Sequence, residues 1–360
     1  LYGSPASGAS WVVPAKYYQE VGPDGFKKAP IGAGPYKLVR HGGDELELEA
    51  VPDYWRKTPA VKTLIIRGLA EEATRVAALQ AGEVDFVNQV TGPLVDMVKS
   101  DPNLRLHPVL NSPFWLEFVR FENPDSPFNK KQVREAVSLA IDRKAINEAE
   151  SNGLGVELGN WIPENWPGAI TWPIFPHDPD KAKQLMAEAG YPDGFDVENL
   201  TPLPPYNSLA ERVISQLRTI GIRTKLQTME RGAFTQKLAE GPDAFGRNML
   251  LHISGNPGDA AARIRSFAIC PPKGANSRTC DPQIDSTFER YEMSVDPRER
   301  EQLLNEVQTY MLENLIYVPI YRQAFNIGVG PRIANDPKDV AGSVPQYSHV
   351  GPYEDIRLNE

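Results

Sequence analysis

The strongest constraint on the fold is an alternation of amphipathic helices and apolar strands in the last two thirds of the chain. Three helices have unusually clear starts, at Asp178-Pro179, Asp281-Pro282 and Asp296-Pro297. In each pair the aspartate can cap the helix, and the proline suits the first helical position because its φ is already helical. Strands follow, as in Ile222–Leu226 with period two and Asn248–Ile253 with a mostly apolar run. The pattern predicts an α/β domain.

Two helix starts also carry the spacing of a capping box. Glu299 follows Asp296 by three residues, so its carboxylate is placed to reach back to the capping residue. Asn129 and Gln132 repeat this spacing more weakly. We therefore predict helix starts at both positions.

The first third of the chain reads as strands with one good helix. Tyr36–Val39 and Glu45–Val51 flank a turn with two glycines, which permit the positive φ of a tight hairpin. Lys62–Arg67 is predicted as a third strand, and Glu72–Ala81 as an amphipathic helix that stops at Gly82.

Length and charge indicate how many lobes the chain forms and exclude several classes of function. At 360 residues the chain exceeds one ordinary domain, so two lobes with a cleft between them are expected. Its 38 basic and 47 acidic residues give a formal charge of −9, which argues against a nucleic-acid surface. No window approaches the ~18 consecutive apolar residues that span a bilayer. Leu1–Pro5 lacks the basic start and apolar stretch of a secretory signal.

The motifs of common enzyme and cofactor sites are missing from the sequence. The histidines are spaced too widely for a two-histidine helical zinc motif; they are His41, His107, His177, His252 and His349. Gly32-Ala33-Gly34 is followed by Pro35, which denies a phosphate one of the backbone donors it needs. There is no Gly-x-Ser-x-Gly elbow, and Cys270 lacks a nearby base. We expect no metal, no cofactor and no covalent catalysis.

The two cysteines, Cys270 and Cys280, lie close together in a segment with proline and glycine. A disulfide between them would restrict the unfolded chain and would place the protein in an oxidising compartment. Two unpaired thiols that happen to be neighbours are the alternative, because the sequence does not supply the sulfur geometry. We predict the disulfide.

Tryptophans are the remaining candidates for ligand contacts. Trp161, Trp166 and Trp172 lie in a loop-like segment without helical or strand periodicity, and Trp115 follows Pro113-Phe114. Indole rings on loops can line a cleft, since each offers a large contact area and one N–H donor. The same rings can instead fill a small core beneath a long loop, and the sequence leaves both interpretations open.

Several segments together resemble the extracytoplasmic solute-binding proteins that serve peptide and nickel ABC importers. They occur in the order found in that family and spread over most of the chain; the segments are Pro30–Tyr36, Pro52–Trp55, Arg75–Asp85, Pro127-Phe128, Val133–Ala136, Ala140–Arg143, Ala187–Phe195 and Pro319–Tyr321. Their content is structural more than chemical: Arg75–Asp85 includes an amphipathic helix, and Asp142-Arg143 is expected to end another helix. Such a scaffold does not by itself fix a ligand.

The resemblance implies an α/β, two-lobed, periplasmic-binding-protein-like fold of type II. Residues 1–113 with 333–360 would form the first lobe, and residues 114–332 the second. It also implies a monomeric, non-enzymatic component of an ABC transporter, which holds a small polar solute, peptide-like or other, between the lobes and presents it to a membrane permease. The implied location is periplasmic, or extracytoplasmic with a lipid anchor.

Two departures from the family pattern stand out. Family members carry a signal peptide and a further block of sequence before the segment that matches Trp11–Pro14, so this chain resembles a fragment with an incomplete first lobe. In dipeptide-binding members an arginine before a Pro-Tyr-Asn run holds the ligand carboxylate, and an aspartate after a Trp-x-Ala pattern holds its amine. Here the run reads Pro204-Pro205-Tyr206-Asn207 and the second segment reads His252-Ile253-Ser254-Gly255-Asn256, so both charges are missing. Losing two charge-assisted hydrogen bonds of about 1.5–3 kcal/mol each predicts weak dipeptide binding.

The predicted ligand neighbours combine aromatic rings with polar groups: they are Trp115, Trp161, Tyr206, His252, Ser254 and Asn256, with Asp259 and Arg263 as further polar partners. A structural role is the alternative for three of them, since Tyr206 could cap a helix, His252 could be a core histidine and Arg263 could be a surface charge.

Two other functions compete with solute capture. A cytoplasmic ligand-sensing regulator on the same scaffold would carry a helical DNA-reading module upstream. A hydrolase using acidic residues beside the tryptophan loop would need a carboxylate pair ~5–10 Å apart across a pocket.

Overall fold

The computed structural model describes residues 12–246, 248–253, 258–271, 276–341 and 350–359. They form two compact units. Unit one comprises the described residues of Leu1–Asn111 and Ala324–Glu360, and unit two those of Ser112–Gln323. The chain passes from unit one to unit two inside a long strand, Arg105–Phe118, and returns inside another, Tyr317–Val329.

Unit one contains a small antiparallel sheet of strands β1 (Tyr36–Gly42), β2 (Glu45–Ala50) and β3 (Thr63–Arg67). Gly43 has a φ of 59° in the turn between β1 and β2, which confirms the glycine turn expected there. Side chains of this sheet are half-buried or exposed.

Three helices and a strand complete the first part of unit one: α1 (Ala15–Lys28), α2 (Glu72–Gln80), β4 (Phe86–Val90) and α3 (Pro93–Ser100). The sequence predicted only α2 among these helices. Helix α1 buries no residue, is kinked at Gly22 and contains Pro23, so its sequence carries the glycine and proline that normally mark a turn between elements. Helix α3 is short, with Pro93 at its start.

Unit two is rich in helices. After β5 (Arg105–Phe118) come α4 (Lys131–Ala140), α5 (Arg143–Ser151) and the short strand β6 (Val156–Glu157). The remaining elements follow in chain order: α6 (Pro179–Glu188), β7 (Phe195–Pro202), α7 (Asn207–Arg218), β8 (Ile222–Leu226), α8 (Arg231–Ala239), β9 (Met249–Ile253), α9 (Ala260–Phe267), α10 (Pro282–Met293) and α11 (Pro297–Glu313). Strand β10 (Tyr317–Val329) then leads into unit one, which ends with α12 (Pro337–Val340).

The strands of unit two form a mixed sheet in which β5, β9, β7 and β8 lie side by side. Strand β9 is antiparallel to β5, and β7 is parallel to both β9 and β8. The register pairs Trp115 of β5 directly with His252 of β9. In unit one, the end of β10 pairs antiparallel with β4. An α/β sheet is therefore present where the helix-strand alternation predicted one.

The three Asp-Pro helix starts are confirmed. Asp178, Asp281 and Asp296 each accept a hydrogen bond from a backbone N–H in the first turn of α6, α10 and α11. The predicted capping box at Asp296 and Glu299 is wrong. Glu299 accepts a hydrogen bond from the Ser294 hydroxyl instead of reaching back to Asp296.

The start predicted at Asn129 is also wrong. Asn129 ends a short 3-10 turn, and α4 begins at Lys131 without a side-chain cap. Asp142-Arg143 does not end a helix either: α4 stops at Ala140, and Asp142 caps the next helix, α5, by accepting from Ala145.

Candidate functional site

The predicted tryptophans form a buried aromatic cluster in unit two. The rings of Trp115 and Trp161 meet edge-on at 5.5 Å, and His252 stacks on Trp115 at 5.0 Å because β5 and β9 place the two residues opposite each other. Trp115 and Trp161 are 0% and 1% exposed. Their indole nitrogens make no hydrogen bond to any described residue, so ring packing holds the cluster together. Trp161 therefore fits the second interpretation of the tryptophan loop, in which the rings fill a buried core.

Arg263 lies inside the same cluster. Its guanidinium is 4.6 Å from the ring centre of Trp166, 5.1 Å from that of Trp115 and 5.6 Å from that of Trp161. Burial, and secondarily the charge of Arg322, lowers the pKa of Arg263 to about 9. Arg263 is therefore a buried cation among aromatic faces and not the surface charge that the alternative interpretation described.

Asp259 has a local structural role. It caps α9, since its carboxylate accepts a hydrogen bond from the Ala262 N–H at 2.8 Å. Ser254 and Asn256, the other predicted polar neighbours on this segment, lie outside the described residues.

Glu117 is a buried carboxylate that the sequence analysis missed. Its Oε2 lies 3.4 Å from Nδ1 of His252, and its Oε1 accepts from the Arg278 backbone N–H at 3.1 Å. An acidic residue inside the apolar run Phe114–Phe118 was the signal that could have found it, because a charge on a buried strand needs partners. The pair of His252 and Glu117 supports the interpretation of His252 as a hydrogen-bonded core histidine.

The predicted disulfide between Cys270 and Cys280 is confirmed. It anchors a strap, defined here as residues 276–280, which packs along the end of β5. The Arg120 N–H donates to the Arg278 carbonyl at 2.9 Å, and the Thr279 hydroxyl donates to Glu122 at 2.9 Å. The Arg278 guanidinium donates to the Leu238 carbonyl at the end of α8. The disulfide thus closes a loop that supplies one of the partners of Glu117.

Tyr206 belongs to a different surface of the sheet. Phe114 and Trp115 are neighbours along β5, so their side chains leave opposite faces of the strand. The Tyr206 ring meets Phe114 edge-on at 4.8 Å, and Tyr321 of β10 stacks on Phe114 at 5.5 Å. Tyr206 is half-buried, and burial raises its phenolic pKa despite the opposing charge of Arg231. It directly precedes α7 but makes no side-chain hydrogen bond to it, so it is not a capping side chain.

The arginines of two motif segments hold backbone carbonyls. Arg134 donates to the carbonyls of Phe128, Asn129 and Asn314. Arg143 donates to the Ser138 hydroxyl and to several further carbonyls, which belong to Pro319, Ser138, Ile141 and Phe175. Both guanidinium groups are buried, and burial lowers the pKa of each to about 10. These motif residues fix the scaffold.

The described part of the chain contains no group of three or more His, Cys, Asp or Glu side chains arranged to hold a metal ion. None of its helices is both long and apolar enough to cross a membrane.

Comparison with known proteins identifies a family. The sequence profile of the bacterial extracellular solute-binding proteins, family 5 Middle, matches residues 4–268. Heme-binding protein A of Haemophilus influenzae is 27% identical over 319 residues, which cover 86% of this chain and 57% of that protein. Di/tripeptide-binding protein 1 of Pseudomonas aeruginosa is 29% identical over 82% of this chain and 56% of that protein. The chain therefore spans little more than half the length of these relatives.

A solved structure shares the fold. The periplasmic binding protein AgaA from A. tumefaciens R10, in complex with agropinic acid, superposes with a TM-score of 0.73 and 26% identity. The match covers 97% of this chain and 71% of that structure. The predicted α/β, periplasmic-binding-protein-like fold is thereby confirmed.

Proposed function

This chain belongs to the bacterial extracellular solute-binding proteins of family 5, and from that membership we propose that it captures a small polar solute for an ABC importer. The observation that carries the proposal is the family match over residues 4–268, which includes most of unit two. The relatives bind chemically different solutes, heme and di- or tripeptides by their names, so the family supports solute capture without fixing the solute.

The protein acts by binding alone in this proposal. It works outside the cytoplasm, and its partner is the membrane permease of the importer. Binding stabilises one conformation only to the extent that the solute contacts it better than the alternatives, and no covalent step is required.

The structure supports different tasks for the predicted ligand neighbours. Trp115, Trp161 and Arg263 are sealed from solvent, and His252 is 4% exposed, so these side chains form the layer that supports a binding surface. Tyr206 is half-buried and remains the best-placed candidate for direct contact with solute. We propose that unit two binds the solute on the side of Tyr206 and Phe114.

Weak dipeptide binding is part of the proposal. Pro204 stands where dipeptide-binding members carry an arginine for the ligand carboxylate. A proline cannot supply a charge-assisted hydrogen bond, each of which contributes about 1.5–3 kcal/mol.

Isothermal titration calorimetry on the full chain tests the function, with Met-Leu, glutathione, heme and agropinic acid as separate probes. We expect saturable one-to-one binding of at least one probe, with Met-Leu weaker than the tightest binder. Failure of every probe to bind, or chemical conversion of a bound probe followed by mass spectrometry, would contradict solute capture. Tight Met-Leu binding would contradict only the argument from Pro204.

A further inference from the structure

Two loops of unit two leave the sheet at the same end. Strand β7 is parallel to both β8 and β9, which lie on opposite sides of it, so the carboxyl ends of the three strands face one way. The chain passes from β7 through α7 to β8, and then back through α8 to β9. In α/β proteins, ligands commonly bind at such a point, where neighbouring strands connect in opposite directions. We call residues 203–206 and 227–230, which follow β7 and β8, the loop pair.

The helices that follow the loop pair pack on opposite faces of the sheet. Leu250 and Leu251 are neighbours on β9, so their side chains leave opposite faces. Leu250 shares a core cluster with Phe234 of α8, whereas Leu251 shares one with Val213 of α7. The two loops therefore diverge as they leave the sheet, which is the arrangement that opens a crevice between them.

Side chains at the loop pair have access to solvent. Arg231, the first residue of α8, and Pro205 are exposed, and Tyr206 is half-buried. The Arg231 guanidinium donates to the Pro204 carbonyl at 3.2 Å, which places it beside the other loop. A guanidinium has five N–H donors. No further hydrogen bond and no ion pair occupies this one in the described part of the chain, so most of its donors are left for a solute.

The charge of Arg231 acts on Tyr206. Burial raises the pKa of the Tyr206 phenol, and the positive charge of Arg231 opposes that rise. An anion that approaches the Tyr206 ring therefore approaches a cation as well.

Helix stability does not account for a cation at this position. The first turn of a helix carries the positive end of the helix dipole, which favours acidic side chains and opposes Arg231. Glu230 has the expected role there, since its carboxylate caps α8 by accepting from the N–H groups of Gly232 and Ala233. A charge that the local fold opposes is typical of a functional position.

We propose that Arg231 binds a carboxylate group of the solute at the loop pair, while the Tyr206 ring packs against the adjoining part of the same molecule. A guanidinium holds a carboxylate through parallel N–H donors, and one positive charge balances a carboxylate better than a phosphate with its charge of about −2. This inference rests on the proposed function and names the chemical class of its solute. Arg231 attracts the carboxylate of a dipeptide but repels its ammonium group, so anions without an ammonium group should bind more tightly.

Three forms of one peptide separate the two charges. Met-Leu carries both end groups, N-acetyl-Met-Leu carries only the carboxylate, and Met-Leu amide carries only the ammonium group. Calorimetry on the full chain measures the Kd of each form, and that of glutathione and heme, which also carry carboxylates. The Tm of each ligand-free protein is measured in parallel.

Two variants change the proposed contact: Arg231→Gln removes the charge, and Arg231→Lys keeps it. The matched control is Arg223→Gln. Arg223 is also an exposed arginine, but it lies near the amino end of β8 and pairs with Asp196.

We expect wild-type protein to bind N-acetyl-Met-Leu more tightly than Met-Leu amide. Arg231→Gln should weaken the binding of each carboxylate probe about 10- to 100-fold, and Arg231→Lys should weaken it less. Arg223→Gln should leave each Kd unchanged. The ligand-free Tm of Arg231→Gln should stay close to that of the wild type, because the side chain is exposed and opposes the helix dipole.

Other outcomes separate the two proposals. Measurable and equal affinity for N-acetyl-Met-Leu and Met-Leu amide, or an unchanged Kd of the carboxylate probes in Arg231→Gln, would overturn the role of Arg231 and leave solute capture standing. A lower Tm with unchanged Kd would show that Arg231 only supports the loop at Pro204. Failure of every probe to bind would count against both proposals.

Discussion

The two sides of strand β5 carry aromatic groups of similar size that differ in their access to solvent. On one side, Trp115 and Trp161 are sealed together with the cation of Arg263. On the other side, Phe114 is also buried, but its neighbour Tyr206 is half-buried. The number of tryptophans therefore does not indicate which side of the strand reaches solvent. The partly exposed ring of Tyr206 is the better indicator.

The largest expected effect concerns the sealed side. Trp161→Ala should lower the free energy of unfolding by about 3–5 kcal/mol, because it opens a cavity in a packed core. Tyr206→Ala, on the open side, should cost about 1–2 kcal/mol. Urea unfolding followed by circular dichroism gives both values, and a larger loss for Tyr206→Ala would reverse the comparison.

The disulfide should affect stability on the sealed side with little effect on solute binding near Tyr206. Replacing Cys270 and Cys280 by serine should cost about 3 kcal/mol, the value expected for a loop of this size. The strap would loosen around Glu117, whereas solute affinity should stay within about twofold of the wild type because no strap residue reaches Tyr206 in the contacts described above. Thermal unfolding with and without a reducing agent, and calorimetry with the best probe, measure the two effects. A tenfold loss of affinity would show that the two sides are coupled.

Glu117→Gln tests the buried carboxylate and should lower the free energy of unfolding by an intermediate amount. An amide oxygen accepts the Arg278 N–H more weakly than a carboxylate does, so the loss should be about 1–2 kcal/mol. Glu122→Gln is the matched control on the same segment, where the side chain is 28% exposed, and it should cost less. Chemical denaturation measures both losses of unfolding free energy. Equal losses in the two variants would mean that the burial of Glu117 does not strengthen its contribution to stability.

The smallest effect on stability belongs to the open side. Tyr206→Phe keeps the ring contact with Phe114 and should change the free energy of unfolding by no more than about 0.5 kcal/mol. If the Tyr206 hydroxyl touches solute, the Kd measured by calorimetry should nevertheless rise severalfold. A marked loss of stability in Tyr206→Phe would show that the Tyr206 hydroxyl supports the core instead.

Local chemistry made much of the fold predictable. The Asp-Pro starts of α6, α10 and α11 depend on neighbouring residues alone, and each is present. The capping box failed because a competing donor, Ser294, lies within reach of Glu299. Helix α1 was not predicted because Gly22 and Pro23 interrupt it, and such a pair is typical of a turn.

The candidate site was harder to predict because its parts are distant in sequence. Phe114, Tyr206 and Tyr321 come from three distant parts of the chain that only the folded sheet brings together. A sequence shows that a residue is polar, but it does not show whether the fold supplies a hydrogen-bond partner. Tyr206 and Tyr321 both belong to recognisable runs, but neither run shows that the two rings meet Phe114 in the folded chain.

The carbonyl contacts of Arg134 and Arg143 have a consequence for substitution elsewhere in unit two. Both guanidinium groups fasten the main chain at carbonyl oxygens, which every residue type carries. A change of side chain at Phe128, Asn314 or Pro319 therefore leaves the acceptors of these hydrogen bonds in place.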